Sequence, residues 1–152
     1  AGIASPTRGF TFGGSAPGNV NTITFITTAT LGNAQDFGDL LYTGSAFTGA
    51  SSATRGVAFS GTAADATINY ITMATTGNAQ DFGELNTANR YSGSSGSSST
   101  RAVVGGGGYP STTTSIDYVQ IATTGNAVDF GDLTANRSLM MVGCFSNGHG
   151  GL

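Results

Sequence analysis

The sequence GNAQDFGDL fills residues 32–40, GNAQDFGEL fills 77–85 and GNAVDFGDL fills 125–133. A catalytic site is needed once per fold, whereas a structural unit is needed once per repeat, so this triplication points to a repeat architecture. The nonapeptide belongs to a longer unit. TRGFTFGG (7–14), TRGVAFSG (54–61) and TRAVVGGG (100–107) open it. TITFITTAT (22–30), TINYITMATT (67–76) and SIDYVQIATT (115–124) precede the nonapeptide. A TANR tail ends the second and third copies at Arg90 and Arg137, where the first copy reads LLYTGSAF (40–47). The period is about 45 to 48 residues, within the range of repeat architectures.

Each unit supplies four strand-sized segments: one after the Thr-Arg pair, the Ile-x-Tyr segment, the Asp-Phe-Gly stretch, and a fourth clearest as SLMMVGCF (138–145). Gly32-Asn33, Gly77-Asn78 and Gly125-Asn126 are expected at two-residue hairpin corners, because Gly and Asn tolerate positive φ. Along one strand Ile68 and Tyr70 share a face opposite Ile71 and Met73, and Ile116 and Tyr118 stand likewise opposite Val119 and Ile121. Apolar groups on both faces call for cover on both faces. Four-stranded sheets stacked face on face at this period describe propeller blades, while β-helix coils are shorter. No apolar stripe of helical period interrupts the pattern. The expectation is an all-β fold in a single repeat domain, 1–152. It comprises three tandem four-stranded antiparallel units of about 46 residues (7–53, 54–99, 100–152) as β-propeller-like blades.

Composition narrows the function. Charged residues are 9% of the chain against about 25% in typical domains, and there is no lysine. The five basic residues, Arg8, Arg55, Arg90, Arg101 and Arg137, are dispersed, and the net charge is −3. Neither feature suits nucleic acid, which needs clustered cations against phosphate. The 38% hydrophobic content suffices for a core, and 25 glycines with abundant Ser and Thr suit short strands and tight turns. Cys144 is the single cysteine, which leaves no internal disulfide; it reads as a small buried hydrophobe, with a bridge to another chain as the lesser alternative. No apolar run approaches the roughly 18 residues of a membrane span. Ala1 opens neither on methionine nor on a signal-peptide pattern, so the chain reads as a processed product or a piece of something larger.

No residue set converges on catalysis. Asp-Phe-Gly matches the magnesium motif of kinases in letters alone, because no phosphate loop, lysine or catalytic loop accompanies it. The pairs Asp36/Asp39, Asp81/Glu84 and Asp129/Asp132 could offer oxygens to calcium, but turn capping or pairing with arginine accounts for them more simply. Arg8, Arg55 and Arg101 hold the same place in each unit, and a carboxylate clasp between strands is expected, with sugar or sulfate binding as the alternative. His149 lacks both a second metal ligand and a nucleophile partner and reads as an exposed turn residue. Gly105–Gly108 is followed by no Gly-Lys-Ser/Thr and so serves a strand exit, not a phosphate. Asn136-Arg137-Ser138 matches the glycosylation sequon, a weak signal in a Ser-rich chain. Tyr42, Tyr70, Tyr91, Tyr109 and Tyr118 could stack on sugars or fill a core. No catalytic residue, cofactor site or metal site is assigned.

The order Thr-Arg-Gly, Gly pair, Ile-x-Tyr-Ile/Val, Ala-Thr-Thr-Gly-Asn-Ala, Asp-Phe-Gly-Asp-Leu and then Arg resembles the kelch-like repeats of virion- and tail-associated proteins of tailed phages, cyanophages especially. The resemblance covers nearly the whole chain. The chain departs from true kelch repeats at Ser60-Gly61, which replaces the double glycine of Gly13-Gly14 and Gly105-Gly106, and in having no tryptophan. The resemblance implies a β-propeller-type fold and an extracellular or virion location. It implies a non-enzymatic structural or adhesive role associated with a phage tail or fibre. The alternative is a lectin-like propeller holding surface glycans between blades.

Three blades are fewer than the four to eight of a propeller, so two chains forming six blades, or a longer array, are expected. Ala1–Pro6 is expected to be the remnant of a preceding unit, and 146–152 (SNGHGGL) the degenerate start of a following one. Open blade faces lined by Ile23, Phe25, Ile116 and Tyr118 would then drive head-to-tail self-association into a ring or a filament.

Overall fold

A computed structural model of the chain describes residues 1–15, 17–59, 61, 65–88, 93–108, 111–137 and 145–146. Three sheets follow one another. The first contains β1 (Gly2–Ala4), β2 (Arg8–Ser15), β3 (Asn19–Thr27) and β4 (Gln35–Gly44), in that order. The second contains β5 (Thr48–Ser51), β6 (Arg55–Phe59), β7 (Thr67–Thr72) and β8 (Gln80–Glu84). The third contains β9 (Ser94–Ser97), β10 (Arg101–Gly105), β11 (Thr113–Gln120) and β12 (Val128–Arg137), with β13 (Phe145–Ser146) added beside β9. Sequential strands pair antiparallel within each sheet, while β13 runs parallel to β9. No helix occurs among the described residues. The fold is thus all-β, with three blade-like antiparallel units that do not close into a barrel.

The sheets lie one strand out of phase with the sequence units. The Thr-Arg pair starts the second strand of each sheet, and the first strand comes before it. A serine makes the turn between them. Ser5, Ser52 and Ser98 each accept from the arginine amide three residues on, at 3.0, 3.1 and 3.0 Å. Gly2–Ala4 is therefore the edge strand of the first sheet, paired with β2. The strand expected at 138–145 lies outside the described residues as far as Cys144, and Phe145 belongs to β13.

The Gly-Asn corners also differ from expectation. The tight turn falls earlier, where Thr75 N donates to Thr72 O and Thr123 N to Gln120 O. Gly77–Ala79 and Gly125–Ala127 then run on without strand pairing in their own sheets. Asn78 and Asn126 do not take positive φ.

Asp-Phe-Gly builds a β-bulge. Ile68 faces Gly83 and Asn69 faces Asp81, so Phe82 is the extra residue; the same slip isolates Phe37 and Phe130. Gly38, Gly83 and Gly131 take φ of 144°, 142° and 138°, a region that glycine alone enters freely. Each aspartate accepts from the amide of its glycine, at 3.1, 2.9 and 3.1 Å.

The bulge turns the phenylalanine toward the following sheet, and two cores result. The trailing face of the first sheet presents Phe10, Phe12, Ile23, Phe25, Phe37 and Leu40 to Ala58, Ile71, Met73 and Ala79 of the second. Phe37 packs edge-on against Phe10 at 5.2 Å and Phe25 at 5.8 Å. The second sheet presents Val57, Phe59, Ile68, Phe82 and Leu85 to Ala102, Val104, Val119, Ile121 and Ala127 of the third. The first strands of neighbouring sheets also meet, and Ser51 Oγ donates to Ala4 O while Ser97 Oγ donates to Ser51 O.

Candidate functional site: the joint between repeats

The nonapeptide is spread across two sheets. Gly77 N donates to Phe37 O and Ala79 N to Asp39 O, both at 2.8 Å. Asn78 Oδ1 accepts from Asp39 N at 3.0 Å. The next joint repeats this: Gly125 N donates to Phe82 O at 2.7 Å, Ala127 N to Glu84 O at 2.8 Å, and Glu84 N to Asn126 Oδ1 at 3.1 Å. Gly-Asn-Ala of one unit is thus a plug, and Asp-Phe-Gly-Asp/Glu of the unit before it is the socket.

Each residue type follows from this contact. The Ala79 and Ala127 methyl groups are buried. Asparagine supplies the acceptor that a bulged socket amide would otherwise lack. A Cβ on Gly38 would lie 2.5 Å from the carbonyl of Gly77, and one on Gly83 would lie 2.4 Å from Gly125 O. Glycine therefore serves twice in the socket, for its dihedral angle and for the close approach of the plug.

The repeated arginine locks the joint. Arg8 Nη1 donates to Met73 O at 2.9 Å and Ala74 O at 3.2 Å, and Arg55 Nη1 donates to Ile121 O and Ala122 O at 3.0 Å each. Each guanidinium lies over an aromatic ring of its own sheet, Arg8 over Phe25 at 4.7 Å and Arg55 over Tyr70 at 4.6 Å. The expected carboxylate clasp is replaced by carbonyls. The turn after β7 or β11 leaves carbonyl oxygens without ladder partners, and a flat cation held on a ring satisfies two at once.

An equivalent buried polar position occurs at each joint. Asn69 is wholly buried and accepts from Leu41 N at 3.0 Å. Its counterpart Asp117 accepts from Asn86 Nδ2 at 3.2 Å and Ser115 Oγ at 3.1 Å. Beside the first joint Tyr42 packs on Phe47 and reaches Thr67 O. Burial, and then the Asp65 carboxylate, push its phenol up to about 12. Asp65 is itself held low by hydrogen bonds from the Thr67 hydroxyl and amide.

The remaining candidates do not converge. Asp36, Asp81 and Asp129 cap bulges, while Asp39 and Glu84 enter the joint through their backbones. Asp132 accepts from Thr114 Oγ1 at 2.8 Å. Among the described residues no three potential metal ligands cluster. Gly106–Gly108 take φ of 62° to 107° where the chain leaves β10. Asn136 and Arg137 are exposed at the end of β12. Arg90, Tyr91, Tyr109, Ser138, Cys144 and His149 lie outside the described residues.

The two ends of the stack expose halves of the same joint. Ile23 and Phe25, expected on an open face, are buried in the first core at 0% and 6% exposure. Ile116 and Tyr118 do line an open face, the trailing face of the third sheet. There Phe130 is 54% exposed, against 3% for Phe37 and 2% for Phe82. A Cβ on Gly131 would meet nothing within 4 Å. Arg101 lies over Tyr118 at 4.5 Å and is exposed. At the other end Gly32, Asn33 and Ala34 form an exposed plug. No family model matches the chain, and no curated protein matches it.

Proposed function

We propose that the chain is a non-enzymatic structural or adhesive repeat module of an extracellular or virion assembly. One observation carries this reading: at both places where two units meet, the residues that recur in every unit make the joint. The plug, the socket and the arginine latch account for the nonapeptide and the Thr-Arg pair without reference to a substrate. The setting, a phage tail or fibre, rests on the resemblance to kelch-like repeats of phage virion proteins, which the blade-like sheets suit. An open socket at one end and an open plug at the other favour continuation by neighbouring units, head to tail.

A lectin-like propeller is the second reading. Equivalent pockets between blades do not favour it, because both joints are filled by side chains. What favours it is a concavity of about 860 Å³ at the leading face of the first sheet, where Thr11 and Thr24 present hydroxyl groups. On a glycan array the structural reading expects no sugar-specific signal. Saturable binding to one glycan class, competed by the free sugar, would replace it with the lectin.

A further inference from the structure

We propose that a second copy of this chain docks on the trailing face of the third sheet and forms there the joint found twice inside the chain. The inference rests on the structural reading above and names the partner of its open end. The socket is already shaped. Gly131 has the φ of Gly38 and Gly83, Asp129 caps it in the same way, and among the described residues nothing stands within 4 Å of a Cβ built there. The latch is set as well. Arg101 stands over Tyr118 at the distance that Arg8 and Arg55 keep from their rings.

The plug is the Gly32-Asn33-Ala34 of the incoming copy, identical in sequence to the two plugs seated within the chain. By equivalence Gly32 N donates to Phe130 O, Ala34 N to Asp132 O, and Asp132 N to Asn33 Oδ1. Arg101 reaches the carbonyls of Thr28 and Ala29, which stand where Met73 and Ala74 stand before Arg8. A foreign protein would have to reproduce this spacing of two amides and an asparagine, whereas a second copy carries it already. The two surfaces differ, so the contact is heterologous, and it closes into a ring or extends as a filament.

The docked joint is weaker than the internal ones. Thr28 is exposed where Met73 and Ile121 are buried at 2% and 1%. Thr11 and Thr24, hydrogen-bonded to each other at 2.7 Å, stand where Ala58 and Asn69 stand in the second sheet. Less apolar surface is removed from water, so association is reversible and concentration-dependent. Leu31, fully exposed beside the plug where the other units have Thr76 and Thr124, adds one apolar contact.

Sedimentation of paired surface variants tests this. Wild type gains mass with concentration, levelling at two chains for a ring or continuing for a filament. Arg101→Ala weakens association about tenfold or more, as expected for loss of charged hydrogen bonds. Phe130→Asp blocks the socket and Ala34→Glu blocks the plug. Each alone is monomeric with wild-type circular dichroism, because both sites are exposed. Mixed, the free plug of the first meets the free socket of the second, and a one-to-one dimer forms and grows no further. A wild type monomeric throughout overturns the second copy as partner, and association indifferent to all three substitutions overturns the surface. In either case the structural reading survives, because it rests on the two internal joints, which neither result touches.

Discussion

The Asp-Phe-Gly bends of the second and third sheets have the same residues, the same bulge and the same cap, yet opposite surroundings. Phe82 lies in a core with a plug above its glycine, while Phe130 is half exposed and no described residue stands above Gly131. The bend therefore takes its shape without a partner. Local chemistry builds the socket, and the neighbouring unit only fills it. A joint made of preformed halves loses little conformational entropy when it closes.

The contrast is broken most strongly at the phenylalanines. Phe82→Ala is expected to cost about 3–5 kcal/mol by removing a buried ring and leaving a cavity. Phe130→Ala should cost about 1 kcal/mol or less in the monomer, where the ring is half exposed and makes one edge-on contact with Tyr118. Guanidinium melts of the two variants at low protein concentration measure the difference, and equal midpoints would mean that the two bends are not in different environments.

The glycines sharpen the comparison. Gly83→Ala and Gly131→Ala both place a side chain in a backbone region costing about 1–3 kcal/mol. Only the first also drives a Cβ into the Gly125 carbonyl. Thermal melts should place Gly83→Ala below Gly131→Ala by a further ~1–3 kcal/mol of overpacking. A smaller effect is expected at the latches. Arg55→Ala loses two carbonyl bonds and a stacked ring, about 2 kcal/mol, and Arg101→Ala only the exposed stacking, about 0.5–1 kcal/mol. Denaturant titration that ranks them in reverse would remove the latch from the joint.

An effect confined to alkaline pH separates the first joint from the second. Tyr42 ionises near 10 when unfolded and near 12 when folded, so its neutral form favours the fold. That contribution is complete below pH 10 and is lost as pH rises through 12. Melting temperature followed from pH 9 to 12 should fall less steeply in Tyr42→Phe than in wild type, and parallel curves would contradict the assignment.

Sheet number, strand type and two-sided burial were legible because the repeat and the alternation of Ile68, Tyr70, Ile71 and Met73 are written in local residues. The plug was not, because Gly-Asn suits a hairpin corner equally well and its actual partners lie in the preceding unit, some 40 residues back in the chain. The arginine partner was missed because backbone carbonyls carry no sequence signature. The placement of Ile23 and Phe25 failed for a related reason. Alternation separates two faces but does not say which one meets the next sheet. One signal did exist: Thr28 occupies the place of Met73 and Ile121, which marks the leading face of the first unit as the different one.

Amide hydrogen exchange on dilute, monomeric protein reads plug and socket residue by residue. The amides of Gly77, Ala79, Gly125 and Ala127 should be protected to nearly the stability of the sheets, whereas Gly32 and Ala34, in the same sequence, should exchange at open-chain rates. Equal exchange at all six amides would contradict the account, because the repeated nonapeptide would then not be what joins one unit to the next.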